Sequence, residues 1–92
     1  MRLSQSEITA IKETVAGLDA SARIILFGSR ADDTRRGGDI DLLIMSEKLG
    51  FKEKRKIRLE LFKKIGEQKI DIVIARDESD PFVRIALKGV VL

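Results

Sequence analysis

Neither cysteine nor histidine occurs in the chain. The first absence excludes a disulfide framework and any thiolate metal site. The second removes imidazole, the usual general base near neutral pH and a common zinc ligand. Any chemistry must therefore rest on carboxylates, hydroxyls, lysine or arginine. Tryptophan and tyrosine are missing too, and the four phenylalanines are too few for a platform that stacks single-stranded nucleic acid. No apolar run approaches the ~20 residues of a membrane-crossing helix, and no signal-peptide layout follows Met1. The expectation is a soluble, cytoplasmic protein. Its 92 residues fit one domain, residues 1–92, with no room for a separate acceptor-binding domain.

What is present is charge interleaved with short apolar runs. Eighteen Lys and Arg against fifteen Asp and Glu leave a net charge of +3, so where the charges lie says more than their sum. Ser4 and Ser6 precede apolar residues at Ile8, Ile11, Val15 and Leu18, and Ser4 with Glu7 has the spacing of a capping box, which predicts an amphipathic first helix ended by Gly17 and Asp19. Ala22 to Phe27 is a buried strand that breaks at Gly28. The polar stretch from Ser29 to Gly38 is a loop with room for one helical turn, and it feeds a second strand, Asp39 to Met45. From Lys52 to Gln68 the period turns helical, with Ile57, Leu61, Phe62 and Ile65 on one side. Lys69 to Ala75 alternates as a third strand, and Asp80 followed by Pro81 opens a last short helix with Phe82, Ile85 and Ala86 on its docking side. Val90, Val91 and Leu92 form either an apolar patch that favours a homo-oligomer or a final edge strand. The fold class is α/β in the α+β sense: a small sheet with helices mainly on one face.

Side chains alternate along a strand, so Asp39 and Asp41 share one face while Ile40, Leu42 and Ile44 share the other. In the third strand Ile70, Ile72 and Ile74 take one face and leave Asp71 on the opposite one. If the two strands are neighbours, three carboxylates converge. Such a cluster repels itself unless a cation sits within it, and magnesium suits an all-oxygen donor set. Two such ions are the expectation. A lone Asp-x-Asp is more often just a solvated strand face, so the pair gains its meaning from Asp71 and from the Gly-Ser step before it. Gly28 stands where the chain must turn and where a phosphate can approach the backbone, and Ser29 adds a hydroxyl beside exposed amides.

Gly28-Ser29, nine intervening residues, Asp39-Ile40-Asp41-Leu42 and the later strand with Asp71 together resemble the DNA polymerase beta-like nucleotidyltransferase superfamily. Within it they resemble the minimal nucleotidyltransferases of bacteria and archaea, over Ile24 to Ala75. The resemblance implies a nucleotidyltransferase fold on a mixed sheet and an enzyme that moves a nucleoside monophosphate from a triphosphate, by default ATP, to an acceptor hydroxyl. It implies that Gly28 and Ser29 hold the triphosphate, that Asp39 and Asp41 bind the metals, and that Asp71 completes the second site and serves as or assists the general base. Arg30 matches the Gly-Ser-Arg-Ala form, where it meets phosphate or braces the loop; a salt bridge to Asp32 or Asp33 is the alternative. Arg35 and Arg36 read as solvated loop charges. Members that act as antitoxins commonly have ten residues where this chain has nine.

That subgroup also implies a partner, a small helical protein of the HEPN type whose tyrosine is nucleotidylated in a toxin-antitoxin pair. A second reading stays open: a non-catalytic module that keeps the fold and neutralises a partner by binding alone. A third, modification of an antibiotic or an RNA end, needs an acceptor domain from elsewhere. Residues 52 to 64 carry seven Lys or Arg against Glu53 and Glu60. This reads as a solvated helix face, or as a dock for an acidic partner or, less favoured, an RNA backbone.

Overall fold

Ser4 opens the first helix as its spacing to Glu7 predicts: the Ser4 hydroxyl accepts from the Glu7 amide at 3.1 Å, and the Glu7 carboxylate accepts from the Ser4 amide at 2.9 Å. In the computed structural model, which describes residues 1–32, 34 and 38–92, the order is α1 (Gln5–Ala16), β1 (Arg23–Phe27), a short 3-10 turn (Gly28–Ala31), β2 (Ile40–Met45), α2 (Phe51–Ile65), β3 (Ile70–Ala75), α3 (Pro81–Ala86) and β4 (Val90–Val91). The Asp80 carboxylate caps α3 by accepting from the Phe82 amide at 2.8 Å. Helix α2 is shorter than its sequence period suggests. Its start is set by Glu53, which accepts from the Gly50 amide at 2.9 Å, and its end by Gly66, whose φ of 86° leaves the helical region.

The four strands lie in the order β3-β2-β1-β4. β1 runs antiparallel to β2 and β4, whereas β2 and β3 are parallel and joined by the α2 crossover. The C-terminal residues are therefore an edge strand, closed by a hydrogen bond from the Leu92 amide to the Ile24 carbonyl at 2.9 Å. No helix among the described residues is long and apolar enough to cross a membrane.

Alternation divides the core between the two faces. Ile24, Leu26, Ile40, Leu42, Ile44 and Ile72 meet Ile11 and Val15 of α1 and Ile57 and Leu61 of α2. On the other face Ile25 and Leu43 meet Val83 and Ala86 of α3, and the Phe27 ring meets Phe82 edge-on at 5.7 Å. The Asp41 face of β2 is thus partly core, because Leu43 is fully buried beneath α3. Away from that site, buried Asp19 pins the end of β2 to the turn before β1. Its carboxylate accepts from the Ser46 hydroxyl at 2.5 Å and from the Ser21 hydroxyl at 2.7 Å, while Ser46 Oγ accepts from the Leu49 amide at 3.0 Å. These donors, Ser46 foremost, hold the Asp19 carboxyl below its ordinary pKa.

Candidate active site

Residues Ile40, Asp41 and Leu42 of the central strand β2 pair in register with Ile70, Asp71 and Ile72 of β3. Asp41 and Asp71 are thus direct neighbours on strands about 4.8 Å apart. Their apolar neighbours are buried in the α1/α2 core, whereas Asp41 is half-buried and Asp71 exposed. The two carboxyls are close enough to bear on each other's ionisation. Burial, then the charges of Asp71 and Asp39, push the Asp41 carboxyl above its ordinary pKa, with Lys69 pulling weakly the other way. Asp39 lies one residue before β2 on the same face, and Lys69 Nζ stands 3.3 Å from its Oδ2. That contact, with the nearby charges of Asp71 and Asp41, raises the Lys69 ammonium above its ordinary pKa.

An all-oxygen donor set of mutually repelling carboxylates fits a hard divalent cation such as magnesium, which keeps waters and substrate phosphates in its shell. The carboxylates are not drawn into a closed cage: among the described residues no group of three or more acidic side chains is already spaced to hold an ion.

Strand β1 delivers the turn to this cluster because Phe27 pairs with Asp41. At Gly28 φ is +72°, and a Cβ there would collide with Asp41 Oδ2. Only glycine satisfies both the backbone and the contact. The loop closes in a similar way at its exit, where Gly38 has φ +89° and a Cβ would strike Ser29 Oγ. The sequence-predicted pair Gly28 and Ser29 is therefore held against Asp41 and Gly38 respectively.

Arg30 braces this loop. Its guanidinium donates to the Gly38 carbonyl at 3.2 Å, the Arg2 carbonyl at 3.0 Å and Gln68 Oε1 at 3.4 Å. Arg2 returns the contact, its amide donating to the Arg30 carbonyl at 2.8 Å and its guanidinium to the Ser29 carbonyl at 3.0 Å. Gln68 also donates to Glu7 Oε2 at 2.9 Å, so the turn is tied to the start of α1 and the entry of β3. Asp32 accepts from the Thr34 amide and hydroxyl at 2.9 and 2.7 Å. Asp33, Arg35 and Arg36 lie outside the described residues.

Sequence reasoning missed four contributors. Lys69 was within reach of it, since it shares parity with Asp71, and Gly38 was marked by its place beside Asp39. Arg2 and Gln68 carry no sequence signal, because only the tertiary fold brings them to Arg30. The site is open to solvent rather than enclosed. Hollows elsewhere on the surface include one of about 370 Å³ between the start of α2 and the far half of β3 and one of about 340 Å³ around Asp19, Ser46 and Arg76.

A model of the family described as "Polymerase beta, Nucleotidyltransferase" matches residues 9–92, a span that takes in Gly28, Ser29, Arg30 and all three aspartates. No curated protein matches the chain.

Proposed function

The chain belongs to the polymerase beta nucleotidyltransferase family, and on that premise we propose that it transfers AMP from ATP to a hydroxyl on a partner protein, using Asp39, Asp41 and Asp71. The observation that carries this reading is the in-register pairing of Asp41 with Asp71, with Gly28 pressed against Asp41. Family members of this kind use divalent ions. Asp39, Asp41 and Asp71 are the residues that would hold magnesium, two ions being the expectation, and bound there it would supply positive charge against the phosphates.

The chain's own groups do the rest. The Gly28-Ser29 turn offers backbone amides and a hydroxyl to the triphosphate, while Arg30 and Arg2 keep that turn rigid. The acceptor oxygen forms a bond to the α-phosphorus as the bond to the β-phosphate oxygen breaks, and pyrophosphate departs. Asp71, the exposed carboxylate, takes the acceptor's proton.

The partner is a small helical protein of the HEPN type and the pairing a toxin-antitoxin system, which would place the chain in the cytoplasm. Incubating the chain with α-labelled ATP, magnesium and the protein encoded beside it should label that partner, and Asp41→Asn should abolish the label. Absence of label with all four nucleoside triphosphates would overturn the assignment. A rival reading, a module that neutralises its partner by binding alone, draws on the ion pair in which Lys69 offsets the charge of Asp39. Replacing Asp39 and Asp41 by Asn separates the two: neutralisation that survives the double substitution supports the rival.

A further inference from the structure

We propose that the outer edge of β3 and the adjoining face of α2 form a docking groove for an extended, acidic segment of a partner protein. β3 is the last strand of the sheet. Ile40 and Ser46 donate to the carbonyls of Lys69 and Ala75, so the odd-numbered residues of β3 face β2. In a parallel pair the even-numbered ones, Ile70, Ile72 and Ile74, then turn their N–H and C=O groups outward. This edge has no proline or bulge, and its sequence is Ile-Asp-Ile-Val-Ile-Ala. A largely apolar edge of this kind is a template for another strand and a hazard when left bare.

The surroundings specify what covers it. The hollow of about 370 Å³ beside Val73–Arg76 includes Phe51 and Lys54, and a second of about 360 Å³, lined by Phe51, Lys54, Arg55, Arg58 and Leu59, continues from it along α2. Phe51 is 87% exposed and Leu59 52%. Among the described residues no carboxylate pairs with Lys54, Arg55, Arg58 or Arg76, and Arg58 Nε is buried without a hydrogen-bond partner. Cations, apolar anchors and a free strand edge call for carboxylates, apolar side chains and a backbone that can pair.

A second copy of the chain does not fit, because two-fold symmetry sets the same cations against one another. An RNA backbone would answer the charge but leave the strand edge unpaired.

The test uses the full chain without nucleotide or metal, so its outcome is independent of nucleotidyl transfer. A fluorescein-labelled ten-residue peptide of alternating Glu and Val is titrated by anisotropy. Alongside it run a Lys-for-Glu version, a version N-methylated at alternate amides and a uridine ten-mer. Saturable binding of the acidic peptide is expected, weakened about tenfold or more by Phe51→Ser, by the pair Arg55→Glu and Arg58→Glu, and by N-methylation. Circular dichroism confirms that these surface variants fold. The proposal is overturned by absent saturable binding, by tighter binding of the RNA, by indifference to N-methylation, or by a wild-type dimer in sedimentation that Phe51→Ser dissolves.

Discussion

The two faces of the sheet are built differently. One carries the larger apolar core beneath two long helices; on the other, a smaller cluster joins Ile25 and Leu43 to Val83 and Ala86 of the six-residue α3, with the aspartates beyond its rim. Adjacent residues in one strand thus have opposite duties. Leu42 is fully buried, and Asp41 is half-exposed among like charges. The thick face supplies folding stability, which lets the thin face keep a repelling cluster that lowers it.

Leu42→Ala tests the thick face and should have the largest effect on folding, a loss of about 2–5 kcal/mol in urea unfolding. Gly28→Ala comes next. A methyl group at positive φ against Asp41 should cost about 1–3 kcal/mol and distort the turn, so label transfer should fall further than stability does. Ser46→Ala, at the opposite end of β2, should cost about 1–3 kcal/mol by leaving buried Asp19 and the Leu49 amide short of a partner.

Smaller still is a contrast in pH dependence. Asp19 titrates lower when folded, so its contribution is present above its unfolded pKa and is lost as pH falls through the lower folded value. Asp41 titrates higher when folded, so its ionisation opposes folding, and that penalty disappears as pH falls below its unfolded value. Urea midpoints measured from neutral to acid pH should therefore show Asp19→Asn flattening the acid loss and Asp41→Asn steepening it. The least effect on folding at neutral pH belongs to Asp41→Asn, which leaves stability unchanged or raises it. Label transfer by the same variant should fall by about a hundredfold or more.

Legibility in the sequence followed the range of the forces involved. The Ser4–Glu7 capping box and the Asp80–Pro81 helix start rest on contacts within a few residues, and β1, β2 and β3 were found to within a residue, β1 as a short apolar run and β3 by alternation. The off-core placement of Asp39, Asp41 and Asp71 followed from the same period. Leu43 was harder. In an unbroken apolar run the period cannot reveal a second, smaller core on the charged side. Arg30 as a brace needed Arg2 and Gln68, which lie 28 and 38 residues away in sequence, and pairing of β4 with β1 needed a sheet order that no local signal encodes.

The edge-on contact of Phe27 with Phe82 has a practical optical consequence. It ends the strand that leads into Gly28, and the chain contains no tryptophan or tyrosine. Phe82→Trp would therefore install a lone indole against Phe27, the residue before Gly28, on a half-exposed α3 position. Its emission would report on events at the Gly28 turn against a dark background, with no correction for other fluorophores in the same chain.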